Sequence, residues 1–147
     1  MTSKQITQNI TINLNPEQKQ ILMSATASIQ EVKIKEILVN GVCYHHAGLS
    51  PEDRRIVEDL FRNCNLPILV TTCTLAMGVN LPAHLVIIKS TKYYADGEYR
   101  DYGESMLQQM IGRAGRPQFD TSATAVILTT ANDKEVRIRR VRSLVWP

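Results

Sequence analysis

Three short runs of aliphatic and β-branched residues limit the folds open to this chain. LPILVTTC at 66–73, LVIIKS at 85–90 and ATAVILTT at 123–130 are apolar along much of their length rather than alternating with polar residues. A strand with one face in water alternates, whereas a strand covered on both faces does not. Such strands, separated by helical stretches, build β-α-β units and a parallel sheet. The predicted class is α/β, a parallel sheet flanked by helices.

The helical stretches carry their own signals. Residues 16–39 read as one helix, with Pro16 in the first turn and Ile21, Leu22, Ile29, Val32, Ile37 and Leu38 as its apolar face. Ser24-Ala25-Thr26 lies inside it and reads as ordinary helix. Residues 1–15 are polar and read as a short helix or a frayed start. Gly41 closes the long helix, and Val42-Cys43-Tyr44-His45-His46 reads as a strand entering the loop Ala47-Gly48-Leu49. Ser50, Pro51, Glu52 and Asp53 then start a second helix as cap, first-turn proline and acids at the positive end. Ile56, Val57, Leu60 and Phe61 form its buried stripe, which leaves Arg54, Arg55, Glu58 and Asp59 as a solvated face.

Composition removes several function classes. At 147 residues, 44% hydrophobic and 21% charged, the chain suits one domain with a real core. No run is apolar and long enough to cross a membrane, so no membrane partner is expected. Three cysteines without a CxxC pair suit a reducing compartment. His45 and His46 are neighbours on a strand and face opposite ways, so no metal site is expected there. A net charge of +3 permits nucleic-acid binding without requiring it.

Four of the five tyrosines fall within residues 93–102, in KYYADGEYRDYGE. Asp96-Gly97 signals a two-residue hairpin turn, and Tyr93, Tyr94 and Tyr99 favour strands. Two uses remain open: tyrosines that cover the base of a surface hairpin, or a pin whose rings wedge between bases.

QQMIGRAGRPQFD, residues 108–120, sets Arg113 and Arg116 three apart, each directly after a glycine, Gly112 and Gly115. Glycine lets the backbone lie against another surface. Two permanently charged forks at fixed spacing suit the charge on a transferring phosphoryl group. Gln109 stands one helical turn before Arg113. Gly-Arg pairs also occur in ordinary basic loops, and the pair alone does not decide.

The longer strings point further. QMIGRAGRPQFD resembles motif VI of superfamily 2 helicases of the DExH, ratchet-type class. YHHAGL at 44–49 followed by Arg54-Arg55 is similar to the segment after motif IV in that family, and TTCTLAMGVNLPA at 71–83 to motif V. The order matches, the hairpin lies between motifs V and VI, and the resemblance spans residues 2–132. Within the family, GRAGRPQFDTSATAVILTT is most similar to the meiotic crossover-promoting DNA helicases.

The resemblance implies the second RecA-like domain of a two-domain motor, over residues 1–132 and without its first strand. It implies that Arg113 and Arg116 reach ATP across a cleft, with Gln109 sensing nucleotide state. Gly78 and Asn80 would link that cleft to the nucleic-acid track and, with Gly112 and Gly115, would be among the residues that bind the nucleotide. Thr71, Thr72 and Thr74 would bind the backbone of a DNA single strand, and Tyr94, Asp96 and Gly97 belong to the pin. The implied activity is ATP-dependent, 3′ to 5′ unwinding in the nucleus. Its implied partners are single-stranded and duplex DNA and the first RecA-like domain.

That first domain would hold most of ATP and Mg²⁺, and no GxxxxGK[ST] loop or DExH box occurs in this chain. The chain is therefore expected to be inactive alone, as a fragment of a helicase. A non-enzymatic binding module and a fragment of a related RNA helicase are the alternatives. Residues 133–147, DKEVRIRRVRSLVWP, depart from the family and are expected to form a basic, charged tail.

Overall fold

The computed structural model describes residues 2–73, 75, 78–116 and 120–130, arranged as two compact units that divide between Leu81 and Pro82. The expected basic tail at 133–147 lies outside the described residues.

The first unit runs α1 (Thr2–Asn9), α2 (Pro16–Ser28), α3 (Val32–Leu38), β1 (Val42–His45), α4 (Pro51–Arg62) and β2 (Ile68–Thr71). Helix α2 starts on a reciprocal cap: Asn15 Oδ1 accepts the Gln18 amide at 2.7 Å, and Gln18 Oε1 accepts the Asn15 amide at 3.2 Å. The single helix expected over 16–39 is instead two. Ile29 turns extended (φ −72°, ψ 137°) and sinks into the core, 2% exposed. Asp53, from the first turn of α4, accepts the amides of Gln30 and Glu31, so the break has its own backbone partners. Leu22, Ile29, Ile34, Leu38, Val57 and Leu66 form the centre of the core. Each such aliphatic side chain contributes about 1.5–3 kcal/mol when fully buried.

Strands β1 and β2 pair in parallel, in register from Val42 with Ile68 to His45 with Thr71. The connection between them is α4, the crossover that the apolar runs predicted. Gly41 enters β1 at φ +76°, where a Cβ would sit 2.9 Å from Leu14 Cδ2; glycine is required there on both counts.

The second unit runs β3 (Leu85–Ile88), β4 (Lys92–Ala95), β5 (Glu98–Asp101), α5 (Glu104–Ile111) and β6 (Thr124–Ile127). Strands β3 and β6 pair in parallel, Leu85 with Thr124 through Ile88 with Ile127. Strands β4 and β5 form the expected antiparallel hairpin. The elements give the α/β, RecA-like class, with the hairpin between the motif V-like and motif VI-like stretches.

Strands covered on both faces were expected throughout; β2 is only half-buried, with Thr71 exposed, and the second unit departs further. Ile88 is buried at 5%, but Leu85 and Ile87, alternate residues on the other face of β3, are 47% and 58% exposed. Val126, opposite Ile87, is exposed with them. Apolar continuity reports what a strand is suited to lie against, not what covers it in a given chain.

Candidate functional site

The GRAGR segment leaves the C-terminal end of α5 and is stitched to the lead-in of β3. Gly112 caps the helix through its amide to Gln108 O at 2.7 Å. Ala83 N donates to Arg113 O at 2.9 Å and Gly115 N donates to Ala83 O at 2.7 Å, forming a parallel bridge between Ala83 and Ala114. Gly115 adopts φ +98°, and a Cβ on it would meet Ala123 Cβ at 2.9 Å. The close approach expected of the glycines therefore belongs to Gly115. At Gly112, the nearest neighbour of an added Cβ is Gln108 O, on the preceding helix. The two arginines flank a turn whose backbone is bonded to Ala83 at Arg113 and at Gly115. Gln109 sits exposed on α5, one turn before Arg113.

Arg116 is held by one carboxylate. Asp120 Oδ2 accepts from both the backbone N and Nε of Arg116 at 2.9 Å, and Oδ1 accepts from Nη2 at 2.8 Å. His84 Nδ1 lies 3.2 Å from the same Oδ1. An ionised carboxylate only accepts, so in this contact Nδ1 carries the proton. The Arg116 hydrogen bonds, followed by that of His84, hold the Asp120 carboxyl well below the usual carboxylate range. Pro117, Gln118 and Phe119, also in the motif, lie outside the described residues.

The hairpin turn has Asp96 at φ 52° and Gly97 at φ 83°, the two left-handed residues of a turn that matches strand twist. Tyr93 and Tyr102 stack at 5.0 Å near the hairpin's base. Tyr94 and Tyr99, opposite one another beside the turn, meet edge to face at 5.3 Å and are 65% and 75% exposed. One tyrosine pair stacks at the base, and the other is presented to solvent.

In the first unit, a cleft of about 480 Å³ opens at the carboxyl ends of β1 and β2. Lys4, Lys33, Tyr44, His46, Thr71 and Thr72 are among its lining residues. This end of a parallel sheet is where ligands of open α/β folds bind. Tyr44 and His46 stack in parallel at 5.6 Å, and burial, with Glu31 adding to it, pushes the Tyr44 phenol up to about 12. Thr71 and Thr72 are exposed, with Thr71 Oγ1 donating to Thr72 O at 2.9 Å. Thr74 lies outside the described residues. Gly78 and Asn80 are exposed beyond Leu75, and a Cβ on Gly78 would meet nothing within 4 Å.

His45 also lines this cleft, but its ring is engaged with α4. It is 6% exposed, and its Nε2 lies 2.8 Å from Glu58 Oε1 on α4. Glu58 was expected on a solvated face; its pairing with a buried histidine draws it in to 19% exposure. Among the described residues no group of three or more His, Cys, Asp or Glu is placed to hold a metal ion. None of the described helices is long and apolar enough to cross a membrane.

A family model for the helicase conserved C-terminal domain matches residues 3–118. The chain belongs to that family. It is 55% identical over 122 residues to the probable ATP-dependent DNA helicase HFM1 of Mus musculus, covering 83% of this chain and 8% of that protein. Against HFM1 of Homo sapiens the identity is 53% over 131 residues, covering 88% and 9%. Activating signal cointegrator 1 complex subunit 3 of Danio rerio is 54% identical over 105 residues, covering 69% and 7%. The chain thus spans less than a tenth of each of these three relatives.

In this helicase C-terminal domain, the sequence singled out the arginines, the hairpin and the threonines as candidates, but not Asp120 or His84. Asp120 stood inside the quoted motif without a role. Its signal was its spacing, four residues after Arg116, an interval at which side chains on a turn meet. His84 had no signal, because its neighbourhood with Asp120 exists only once β3 and β6 pair.

Proposed function

We propose that this helicase C-terminal domain is the second motor domain of an ATP-dependent, 3′ to 5′ DNA helicase of the meiotic crossover type. It would act in the nucleus, with Arg113 and Arg116 meeting the nucleotide's terminal phosphates. The observation that carries the reading is the turn at Gly115, bridged to Ala83 on both sides, which offers two arginines from a fixed backbone. A rigid fork of donors stabilises charge that grows on a transferring phosphoryl group, and needs little reorganisation when placed beforehand. Gln109, one turn earlier, would report nucleotide state to α5, and Gly78 and Asn80 would couple that state to the strand-end cleft.

Thr71 and Thr72 border that cleft beside Lys4 and Lys33, a set suited to a single-strand backbone. Tyr94 and Tyr99 offer aromatic faces at the tip of the hairpin for separating bases. Mg²⁺ does not suit the arginine turn: two cations lie there, and the Asp120 carboxylate is already met by Arg116 and His84. Metal and most of the nucleotide would fall to the first RecA-like domain.

The test is steady-state ATP hydrolysis by the complete motor with single-stranded DNA. Arg116→Ala and Arg113→Ala should each lower kcat by on the order of a thousandfold, the effect of losing an arginine finger. Wild-type kcat in both variants would refute the role. Preference for RNA over DNA as the stimulating strand would move the reading to an RNA helicase.

A further inference from the structure

We propose that Asp120, backed by His84, is a positioning residue that sets the guanidinium of Arg116 before any phosphate arrives. The inference rests on the reading of Arg116 as a phosphate-meeting residue and deepens it.

The geometry separates this contact from an ordinary surface pair. Arg62–Asp59 and Arg100–Asp96 join side chains that are all about half exposed or more. Such pairs constrain little, because both partners exchange freely with water. The Asp120 side chain is 6% exposed and Arg116 31%. One carboxylate takes three donors from one arginine, the backbone N, Nε and Nη2. The amide contact ties the backbone that carries the side chain, and the side-on pair at Nε and Nη2 fixes the guanidinium plane. His84 contacts Oδ1 from the lead-in of β3, so the carboxylate is held from the same strand that the GRAGR turn is bridged to.

An arginine left to itself samples many rotamers and must lose that freedom on meeting a phosphate. A guanidinium already fixed loses less, so the gain appears in the chemical step. Arg116 and His84 both face the carboxylate and both favour its charged form, so it stays an acceptor throughout the neutral range.

Two readouts test the proposal. In nitrogen-edited NMR of the 147-residue chain, the Arg116 Nε–H should exchange slowly and lie apart from other arginines. Asp120→Asn should collapse that signal while backbone amide dispersion persists. In the complete motor, Asp120→Asn should lower kcat on the order of 10- to 100-fold, as misplacing a catalytic group by about an ångström does, with KM for ATP within about twofold. Asp120→Glu should restore part of both. If Asp120→Asn unfolds the chain, His84→Ala carries the test and should speed Nε–H exchange and lower kcat several-fold.

A wild-type Nε–H signal and kcat in Asp120→Asn, or in His84→Ala where that variant is used, overturns the positioning role. If Arg116→Ala then still abolishes turnover, the finger reading stands without it. If Arg116→Ala leaves kcat intact, the finger reading itself has failed.

Discussion

The carboxylate of Asp53 accepts the backbone N–H of Gln30 at 2.8 Å, across 23 residues of sequence. Its second oxygen accepts the Glu31 amide at 2.9 Å, so one side chain closes the N-terminal end of α3 from the first turn of α4. The same residue lies within its own helix cap, where its amide donates to Ser50 Oγ at 3.1 Å. The start of α3 and the cap of α4 thus meet on a residue 2% exposed.

Asp53→Ala should therefore cost far more than an ordinary first-turn acid. It leaves two backbone amides without partners and opens a space in the core. Hydrogen bonds to a charged group contribute about 1.5–3 kcal/mol each, not fully additively, which sets the expected loss near 3 kcal/mol. Urea unfolding followed by far-UV circular dichroism measures it. Glu52→Ala, on the same turn but exposed, should change stability by less than about 0.5 kcal/mol.

Asp53 also shows what the sequence hid. A cap, a first-turn proline and acids predicted α4, and all three are local signals. That one of those acids would also break a helix twenty residues earlier is a long-range fact. The apolar residues at 29, 32, 37 and 38 continued a helical rhythm, and nothing local marked the extended turn at Ile29. The arginine turn divides in the same way. Its glycines and spacing were legible, whereas His84 reached Asp120 only through the pairing of β3 with β6. Asp96-Gly97 was fully legible because its turn type depends on those two residues alone.

The two left-handed glycines of the second unit should respond differently to alanine. At Gly97 (φ +83°) an added Cβ meets nothing within 4 Å, so only backbone strain is added. The expected cost is about 1 kcal/mol. At Gly115 (φ +98°) the Cβ must also displace Ala123, 2.9 Å away. There the expected cost is about 2–4 kcal/mol, because overpacking adds to strain. Thermal denaturation of the two variants orders them. Equal losses would mean that the contact with Ala123 is not tight in solution.

The tip and base tyrosines should also separate. Tyr94→Ala with Tyr99→Ala removes exposed rings, and the fold should lose no more than about 1 kcal/mol. If those rings meet bases, single-strand affinity should fall roughly ten- to a hundredfold at fixed salt, since each stacked base contributes about 1–3 kcal/mol. Tyr102→Ala, which removes the stack on Tyr93 at the base, should instead lower stability more than affinity. Fluorescence anisotropy with a labelled oligonucleotide, beside melting curves, reads both. Affinity unchanged in the tip variant would leave the hairpin as surface structure.

The three cysteines give a check on the first unit that needs no partner or nucleotide. Cys43 lies on β1 with no exposure, and burial pushes its thiol up to about 12. At pH 8 almost none of it is thiolate, the form that reacts. Cys64 is exposed just beyond α4. Brief treatment of the folded chain with iodoacetamide at pH 8, read by peptide mass spectrometry, should modify Cys64 and leave Cys43 untouched. Cys43 should react only as urea unfolds the chain, with the same midpoint as the far-UV circular dichroism signal, because β1 is packed against α1, α3 and α4. Modification of Cys43 well below that midpoint would mean that β1 opens before the helices do.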